Sequence, residues 1–245
     1  MARLAVPTVF VSVLLAGHLV AADTASKVVD KTLPLAAGGR LVVDTYKGSV
    51  RVTAWDREEA SVHAVVTPDG TCDTGAELVV KTRIRIEGGG AEVRVVSDYD
   101  DLPKVSFDFR SDCGSRPFVA YEIKMPKGAS LRVKDYKSRV SAAGVAGDVA
   151  VETYKGVVRL EGLAGKLDIE TYKGDVVARF ERIGGEVKAE TYKGEIELVF
   201  PKGAAVDVHE KTGRRGRFES DVATAPGAPR VAVETGKGTI RLKSR

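Results

Sequence analysis

The sequence contains few of the side chains that build metal centres and nucleophilic active sites. It has two cysteines and three histidines in 245 residues. Neither His63 nor His209 has a Cys or acidic partner at metal-ligand spacing. No GxSxG, P-loop or GxGxxG motif occurs in the context that each requires. We therefore expect no metal, no cofactor and no catalytic residue.

A strong excess of charge of one sign is also lacking. The 38 Lys and Arg residues stand against 34 Asp and Glu residues, which gives a formal net charge of +4. The two signs are intermixed along the chain rather than gathered in blocks. Nucleic-acid-binding domains usually concentrate their basic residues on one face. The pattern therefore predicts no nucleic-acid partner, and only weak attraction to anionic polymers.

Aromatic side chains are scarce, at 6% of the chain, whereas there are 26 glycines. Little bulky core filler beside many glycines is typical of tight turns and thin layers of strands. Helix is a poor alternative, because Val, Ile and Thr fill the apolar positions and no 3.6-residue spacing persists. The composition therefore favours an all-β protein.

The first 22 residues have the pattern of a secretory signal peptide. One positive charge, Arg3, precedes an apolar run, and the small residues Val20 and Ala22 fit a cleavage site after position 22. The alternative is a membrane span, which Pro7 within the run disfavours. We predict a protein exported to the periplasm or the extracellular space, with no stable membrane anchor after cleavage.

Cys72 and Cys113 are the two cysteines. In an exported chain an even pair usually forms a disulfide, and we predict this bond. It would stabilise the fold by about 4 kcal/mol in the chain-entropy model. A redox or metal-binding pair is the alternative, but the cysteines lack CxxC spacing and histidine support.

One pentapeptide recurs along the chain. "ETYKG" occurs at 152–156, 170–174 and 190–194, "DTYKG" begins at Asp44, and "DYKSRV" from Asp135 is a fainter copy. When the copies are aligned on the glycine, Ser138 occupies that position in the fainter copy. From Ser138 to Gly238 the aligned positions follow one another at steps of 18, 18, 20, 19 and 25 residues. A period near 20 residues is typical of solenoids.

Each repeat alternates apolar and polar residues on both sides of its glycine. In "GKLDIETYKGDVVARF", Leu167, Ile169 and Thr171 share one face, whereas Asp168 and Glu170 share the other. This period of two marks half-buried strands. Such a pair of strands buries its apolar face only when the units stack. We therefore predict a parallel coil in which each strand bonds to its counterpart in the next turn.

Stacking in register would place identical side chains in columns about 4.8 Å apart. The tyrosine column would contain Tyr136, Tyr154, Tyr172 and Tyr192. The glutamate column would contain Glu152, Glu170 and Glu190, and its repulsion would be offset in part by Lys155, Lys173 and Lys193.

The chain before the repeats has strand-like runs at less regular spacing. We predict three ranges: a signal peptide at 1–22, a β-rich N-terminal half at 23–125 that caps the coil, and a repeat solenoid at 126–245 that is continuous with it. The later units, around Gly213 and Gly238, depart from the repeat, as terminal units of a solenoid often do.

These features together resemble the secreted bacterial "putative adhesin" family of β-strand-repeat proteins. The resemblance rests on "GSVRVTAWDREEASVHAVV", on "YEIKMPKGASLRV" and on the glycine-punctuated repeats, and it covers nearly the whole mature chain. It implies a right-handed parallel β-solenoid-like coil located outside the cytoplasm. It implies no catalytic residues.

We therefore predict a non-catalytic protein that serves in cell-envelope structure, adhesion or polymer binding, with an envelope glycan or another surface protein as partner. The candidate binding residues are those of the tyrosine column and the three repeat lysines. Tyrosine faces could stack on sugar rings, or could stack only on one another. A polysaccharide-active enzyme and an accessory protein in envelope-stress sensing are the alternatives. The oligomeric state stays open.

Overall fold

The computed structural model describes residues 25–70, 74–102 and 116–245. The predicted signal peptide lies outside these residues, and so do Cys72 and Cys113. Cleavage and the disulfide therefore stay predictions. Within the three described ranges, no helix has both the length and the apolar character needed to cross a membrane.

Nearly all regular structure in the described residues is β-strand. The elements before the repeats are β1 (Lys27–Asp44), β2 (Lys47–Trp55), β3 (Glu59–Thr67), α1 (Gly75–Lys81), β4 (Arg83–Asp98) and β5 (Phe118–Pro126). The elements of the repeats are β6 (Ser130–Asp135), β7 (Lys137–Ala143), β8 (Val149–Lys155), β9 (Val158–Leu163), β10 (Leu167–Lys173), β11 (Val176–Phe180), β12 (Val187–Lys193) and β13 (Ile196–Phe200). The last elements are β14 (Ala205–Ser220), β15 (Ala223–Thr224) and β16 (Arg230–Ser244).

Each repeat contributes one strand to each of two parallel ladders. β6, β8, β10 and β12 form the first ladder, and β7, β9, β11 and β13 form the second. In the first ladder Glu170 lies between Glu152 and Glu190 without a slip of register. The predicted all-β, solenoid-like architecture is confirmed in this form. The right hand of the coil stays a prediction.

The core lies between the two ladders and follows from the alternation in the sequence. Leu167 and Ile169 of β10 face Val176 and Ala178 of β11, and all four are at most 1% exposed. Burying one Leu or Ile contributes about 1.5–3 kcal/mol, so each added turn supplies its own share of the core. A single turn would leave this apolar surface open, which is why the units stack.

The glycine of the pentapeptide is required by the close approach of successive turns. A Cβ atom on Gly174 would lie 1.6 Å from the carbonyl oxygen of Gly156, and one on Gly238 would lie 1.9 Å from that of Gly194. No side chain fits at such a distance from backbone atoms. The pentapeptide therefore keeps a glycine at this position because adjacent turns lie too close together for a side chain.

Two turns of the coil come from the chain before the repeats. Residues 40–44 of β1 pair with β6, and β2 pairs with β7, so the "DTYKG" copy forms the turn next to the repeats. On its other side β4 pairs with β1 and β5 pairs with β2. The first part of β1 forms an antiparallel pair with β3, which also pairs antiparallel with β5. Strand pairing thus joins the ranges 23–125 and 126–245, whose division stays a prediction.

The order of the last two units differs from the sequential stacking that the steps along the chain predict. β16 pairs with both β12 and β13, directly on the last regular turn. β14, which comes earlier in the sequence, lies outside β16 and pairs with it and with the two-residue β15. Stacking of each unit on the next in sequence would place the Gly213 unit before the Gly238 unit, and the structure has the reverse order. Gly238 belongs to "ETGKG", which keeps the glutamate, threonine and lysine of the repeat and so matches the neighbouring turn.

Candidate functional site

The tyrosines of the pentapeptide form one column along the first ladder. The tyrosine column consists of Tyr46, Tyr136, Tyr154, Tyr172 and Tyr192. Successive ring centroids are 4.8, 4.9, 4.9 and 5.0 Å apart, and successive ring planes differ by at most 9°. The structure thus brings together the four predicted tyrosines and adds Tyr46. The "DTYKG" copy was the signal that could have placed Tyr46 in the column.

Each inner ring of the column turns both faces toward neighbouring rings. At the N-terminal end Tyr99 meets Tyr46 edge-on, at 6.2 Å, and the Arg116 guanidinium lies 4.2 Å from the Tyr46 centroid. At the other end Gly236 occupies the tyrosine position of the next turn, and the Lys237 ammonium lies 5.6 Å from the Tyr192 centroid. The faces of the tyrosine rings, on which a sugar would have to stack, are therefore already covered by neighbouring rings and cationic side chains. The ring edges and hydroxyls are what the column presents to a ligand.

The glutamate row runs parallel to the tyrosine column and consists of Glu152, Glu170, Glu190 and Glu234. Lysines neutralise most of it. Three of the carboxylates have ion pairs: Lys134–Glu152 at 3.6 Å, Lys188–Glu190 at 3.1 Å and Lys211–Glu234 at 2.7 Å. Glu170 has no ion pair within the described ranges. Glu234 was missed from sequence, although "ETGKG" carried the signal.

A groove of about 540 Å³ separates the tyrosine column from the glutamate row. Buried threonines line it between these two walls: Thr45, Thr153, Thr171 and Thr191. Two threonine hydroxyls donate to carbonyls of the preceding turn, from Thr191 to Gly174 and from Thr235 to Gly194, both at 3.3 Å. Thr191 and Thr235 are thus structural links between turns, whereas the buried Thr171 hydroxyl has no hydrogen-bond partner among the described residues.

Asp135 takes the threonine position in one turn. It accepts hydrogen bonds from the backbone N–H and the hydroxyl of Ser138, from the Thr153 hydroxyl at 2.8 Å and from the Lys137 N–H at 3.1 Å. Burial raises the pKa of the Asp135 carboxyl, although these four donors oppose that effect. Asp135 and Ser138 together replace the Thr and Gly of the other turns. In the sequence, "DYKSRV" is a fainter copy of the pentapeptide, and this exchange of the pair is not predictable from it.

The tyrosine column lies between the groove and a third line of side chains, which we call the lysine row. The lysine row consists of Lys137, Lys155, Lys173, Lys193, Lys237 and Arg215, one from each of six successive turns. All six side chains belong to exposed residues. The ammonium groups of Lys155 and Lys173 lie 5.4 and 5.2 Å from the centroids of the preceding tyrosine rings. The structure thus places the predicted lysines in one line and extends it at both ends.

The lysine row has no ion pair within the parts of the chain that the structure describes, in contrast to the glutamate row. The next cation along, Lys47, is buried and pairs with Asp69. We call the glutamate row, the tyrosine column and the lysine row together the ladder face. Within the described residues, no group of three or more His, Cys, Asp or Glu side chains is arranged to hold a metal ion.

A solved structure shares the overall fold. The crystal structure of a "putative cell adhesion protein" from Clostridium sporogenes ATCC 15579 is similar over 89% of this chain and 100% of its own, with 13% identity and a TM-score of 0.54. A "putative adhesin" from Bacteroides fragilis NCTC 9343 and a "putative lipid binding protein" from Parabacteroides distasonis ATCC 8503 have 13% identity and lower TM-scores of 0.37 and 0.28. The Bacteroides and Parabacteroides structures are each similar over 88% of this chain and 97% of their own.

No curated protein matches the chain. A family model described as Toastrack DUF4097 matches residues 122–225, from within β5 to just past β15. This segment contains the regular turns of the ladder face. The predicted family resemblance is confirmed for this segment: residues 122–225 match the Toastrack DUF4097 family.

Proposed function

We propose that the protein is a non-catalytic, exported, right-handed β-solenoid that binds an extended polymer of the cell envelope along the ladder face. Its role there is adhesive or structural, in the periplasm or at the cell surface. The observation that carries this proposal is the repetition of acidic, aromatic and basic side chains in register over successive turns. A small substrate would contact one or two turns, whereas a polymer with its own repeat can contact all of them.

The surroundings of the carboxylates support a binding role over glycan hydrolysis. Acid–base cleavage of a glycan uses two carboxylates in different environments, one of them protonated. The glutamates of the row occupy equivalent positions in successive turns, and three of the four have a lysine partner. The fold is also shared with a protein named as a cell adhesion protein.

The test is co-sedimentation of purified protein with insoluble envelope polymers. Wild type is compared with a triple variant, Tyr154→Ser with Tyr172→Ser and Tyr192→Ser, and with the matched Phe triple. The Phe variant keeps the stacked rings and loses only the hydroxyls, so it should bind more weakly than wild type, whereas the Ser variant also loses the rings and should bind most weakly. Circular dichroism checks that each variant folds.

Equal binding by wild type and a folded Ser variant would remove the tyrosine column as a contact of the polymer. Incubation with the same polymers should release no reducing sugar ends. Release of such ends would overturn the non-catalytic part of the proposal.

A further inference from the structure

We propose that the polymer is an anionic glycan and that the lysine row, rather than the groove, is what recognises it. This inference rests on the proposed function, because it names the class of ligand for the same face. The interacting groups are the exposed ammonium groups of Lys137, Lys155, Lys173, Lys193 and Lys237. The predicted ligand carries one carboxylate or other anion per sugar residue or short repeat.

The first step is the balance of charge on the ladder face. Three of the four glutamates in the row are held by lysines, whereas the lysine row has no counter-charge among the described residues. Two acidic side chains follow the corner glycines nearby. Glu195 is held by Arg241 at 2.8 Å, whereas Asp175 accepts the backbone N–H of Glu195 at 2.9 Å and keeps its charge. Asp175 and Glu170 together carry two negative charges against the six cations of the lysine row, which are unpaired among the described residues, so the charge left for a partner is positive.

The second step is the density of that charge. Strand pairing sets successive lysines about 4.8 Å apart. Two unit charges in water interact with an energy near RT at about 7 Å. A row of charges spaced more closely than this holds counterions near it, as a nucleic-acid backbone does. A polymeric anion that replaces them releases the counterions, which favours binding and makes it dependent on salt.

The third step is the shape of the basic surface. The lysine row is one residue wide, and the glutamate row begins three residues earlier on the same strand, within about 10 Å. A wide polyanion such as duplex DNA would extend over the glutamate row, where the lysines are already paired, so it would gain no further free cation and would meet Glu170, which is unpaired among the described residues. A single extended glycan fits the strip, because a sugar residue is about as long as one turn of the coil is high. Hydroxyls of Tyr154 and Tyr172 lie beside the strip as hydrogen-bond donors.

The experiment measures equilibrium binding of wild type to soluble alginate, a polymer of uronic acids, and to uncharged dextran. The row variant is Lys155→Gln with Lys173→Gln and Lys193→Gln. The matched control is Lys127→Gln with Lys166→Gln and Lys202→Gln, which removes the same charge from exposed lysines outside the row. We expect alginate binding to weaken at least tenfold in the row variant and less than twofold in the control. The logarithm of the affinity should fall with the logarithm of the salt concentration with a slope of about −3.5, as expected when the five lysines neutralise charges of a single-stranded polyanion.

The outcomes separate this inference from the proposed function. Binding to dextran as tight as to alginate, or equal losses in the two variants, would overturn the lysine-row inference and leave polymer binding standing. Tighter binding to single- or double-stranded DNA than to alginate would replace the glycan with a nucleic acid. Binding to none of these polymers, nor to insoluble envelope material, would contradict both proposals.

Discussion

The rings of Tyr154 and Tyr172 lie 18 residues apart in sequence and stack with centroids 4.9 Å apart and planes 7° from parallel. The hydrogen bonds that bring β8 and β10 into register also bring the rings together. The spacing of the stack is thus the spacing of the coil. Each ring has its neighbours fixed by the backbone, so stacking costs little additional ordering.

The first prediction concerns the position of a ring in the column. Tyr172→Ala removes a ring that has neighbours on both sides, and we expect the free energy of unfolding to fall by about 1–2 kcal/mol. Tyr192→Ala removes one ring–ring contact and should cost less. Tyr172→Phe keeps both contacts and should be nearly neutral. Urea unfolding measures all three, and a Phe variant as unstable as the Ala variant would assign the effect to the hydroxyl.

The second prediction concerns the corner glycine. Gly174→Ala places a methyl group against the Gly156 carbonyl oxygen, so the adjacent turns must separate. We expect a loss of about 3 kcal/mol or more in the free energy of unfolding. Gly38→Ala is the matched control, because no atom lies within 4 Å of its added Cβ. Thermal and urea unfolding of both variants make the comparison, and similar midpoints would contradict the close-approach explanation.

The third prediction concerns Asp135. Asp135→Ala leaves buried donors of Ser138 and Thr153 without acceptors, and we expect a loss of about 2–4 kcal/mol. The double variant Asp135→Thr with Ser138→Gly restores the pair found in the other turns and should recover most of this loss. Asp168→Ala, at an exposed position of β10, is the control and should change stability by less than about 0.5 kcal/mol. Additive effects of the Asp135→Thr and Ser138→Gly changes would contradict the coupling.

The fourth prediction concerns pH and Asp98, near the N-terminal end of the coil. The Asp100 backbone N–H, which donates to Asp98 at 3.0 Å, lowers the pKa of this carboxyl below its ordinary 3.8, and Arg83 and Arg85 lower it further. The folded pKa lies below the unfolded one. The ionised carboxyl therefore adds stability above the ordinary pKa, and this is lost as pH falls through the folded value.

Asp98→Asn should consequently be less stable than wild type at neutral pH, and the difference should shrink in acid. Urea unfolding at a series of pH values measures it. A difference that stays constant as pH falls below the ordinary carboxyl pKa would show that shape, rather than charge, is what Asp98 contributes.

The regular repeats made the first ladder predictable from the sequence. The parts of the structure that depart from the repeats were not predictable in this way. "ETYKG" with its alternating flanks predicts the strands, the register and the four rings from Tyr136 to Tyr192. The contacts of Tyr99 and Arg116 with the Tyr46 ring, at the end of the column, were not predicted, because these two residues come from less regular segments. The occupied ring faces follow from parallel stacking, and they shift the candidate interaction from the tyrosines to the lysines.

The insertion of β16 was also missed, because order along the chain was taken as order in space. Its glutamate, threonine and lysine match those of β12 position by position, whereas β14 keeps fewer of these residues. Similarity to the repeat, rather than distance from it in sequence, was the better guide. The reason is physical: identical corners pack at identical distances, so the least altered copy fits against the last regular turn.

The placement of β14 makes assembly depend on a segment that is synthesised after it. Along most of its length β14 has one hydrogen-bonded neighbour, β16, and β15 adds only two residues of pairing. The chain from 205 to 220 therefore leaves the ribosome before its docking surface exists. β14 can pair in its final place only when β16 lies against β12 and β13, so the C-terminal end of the coil is complete only once the last strand of the chain is in position.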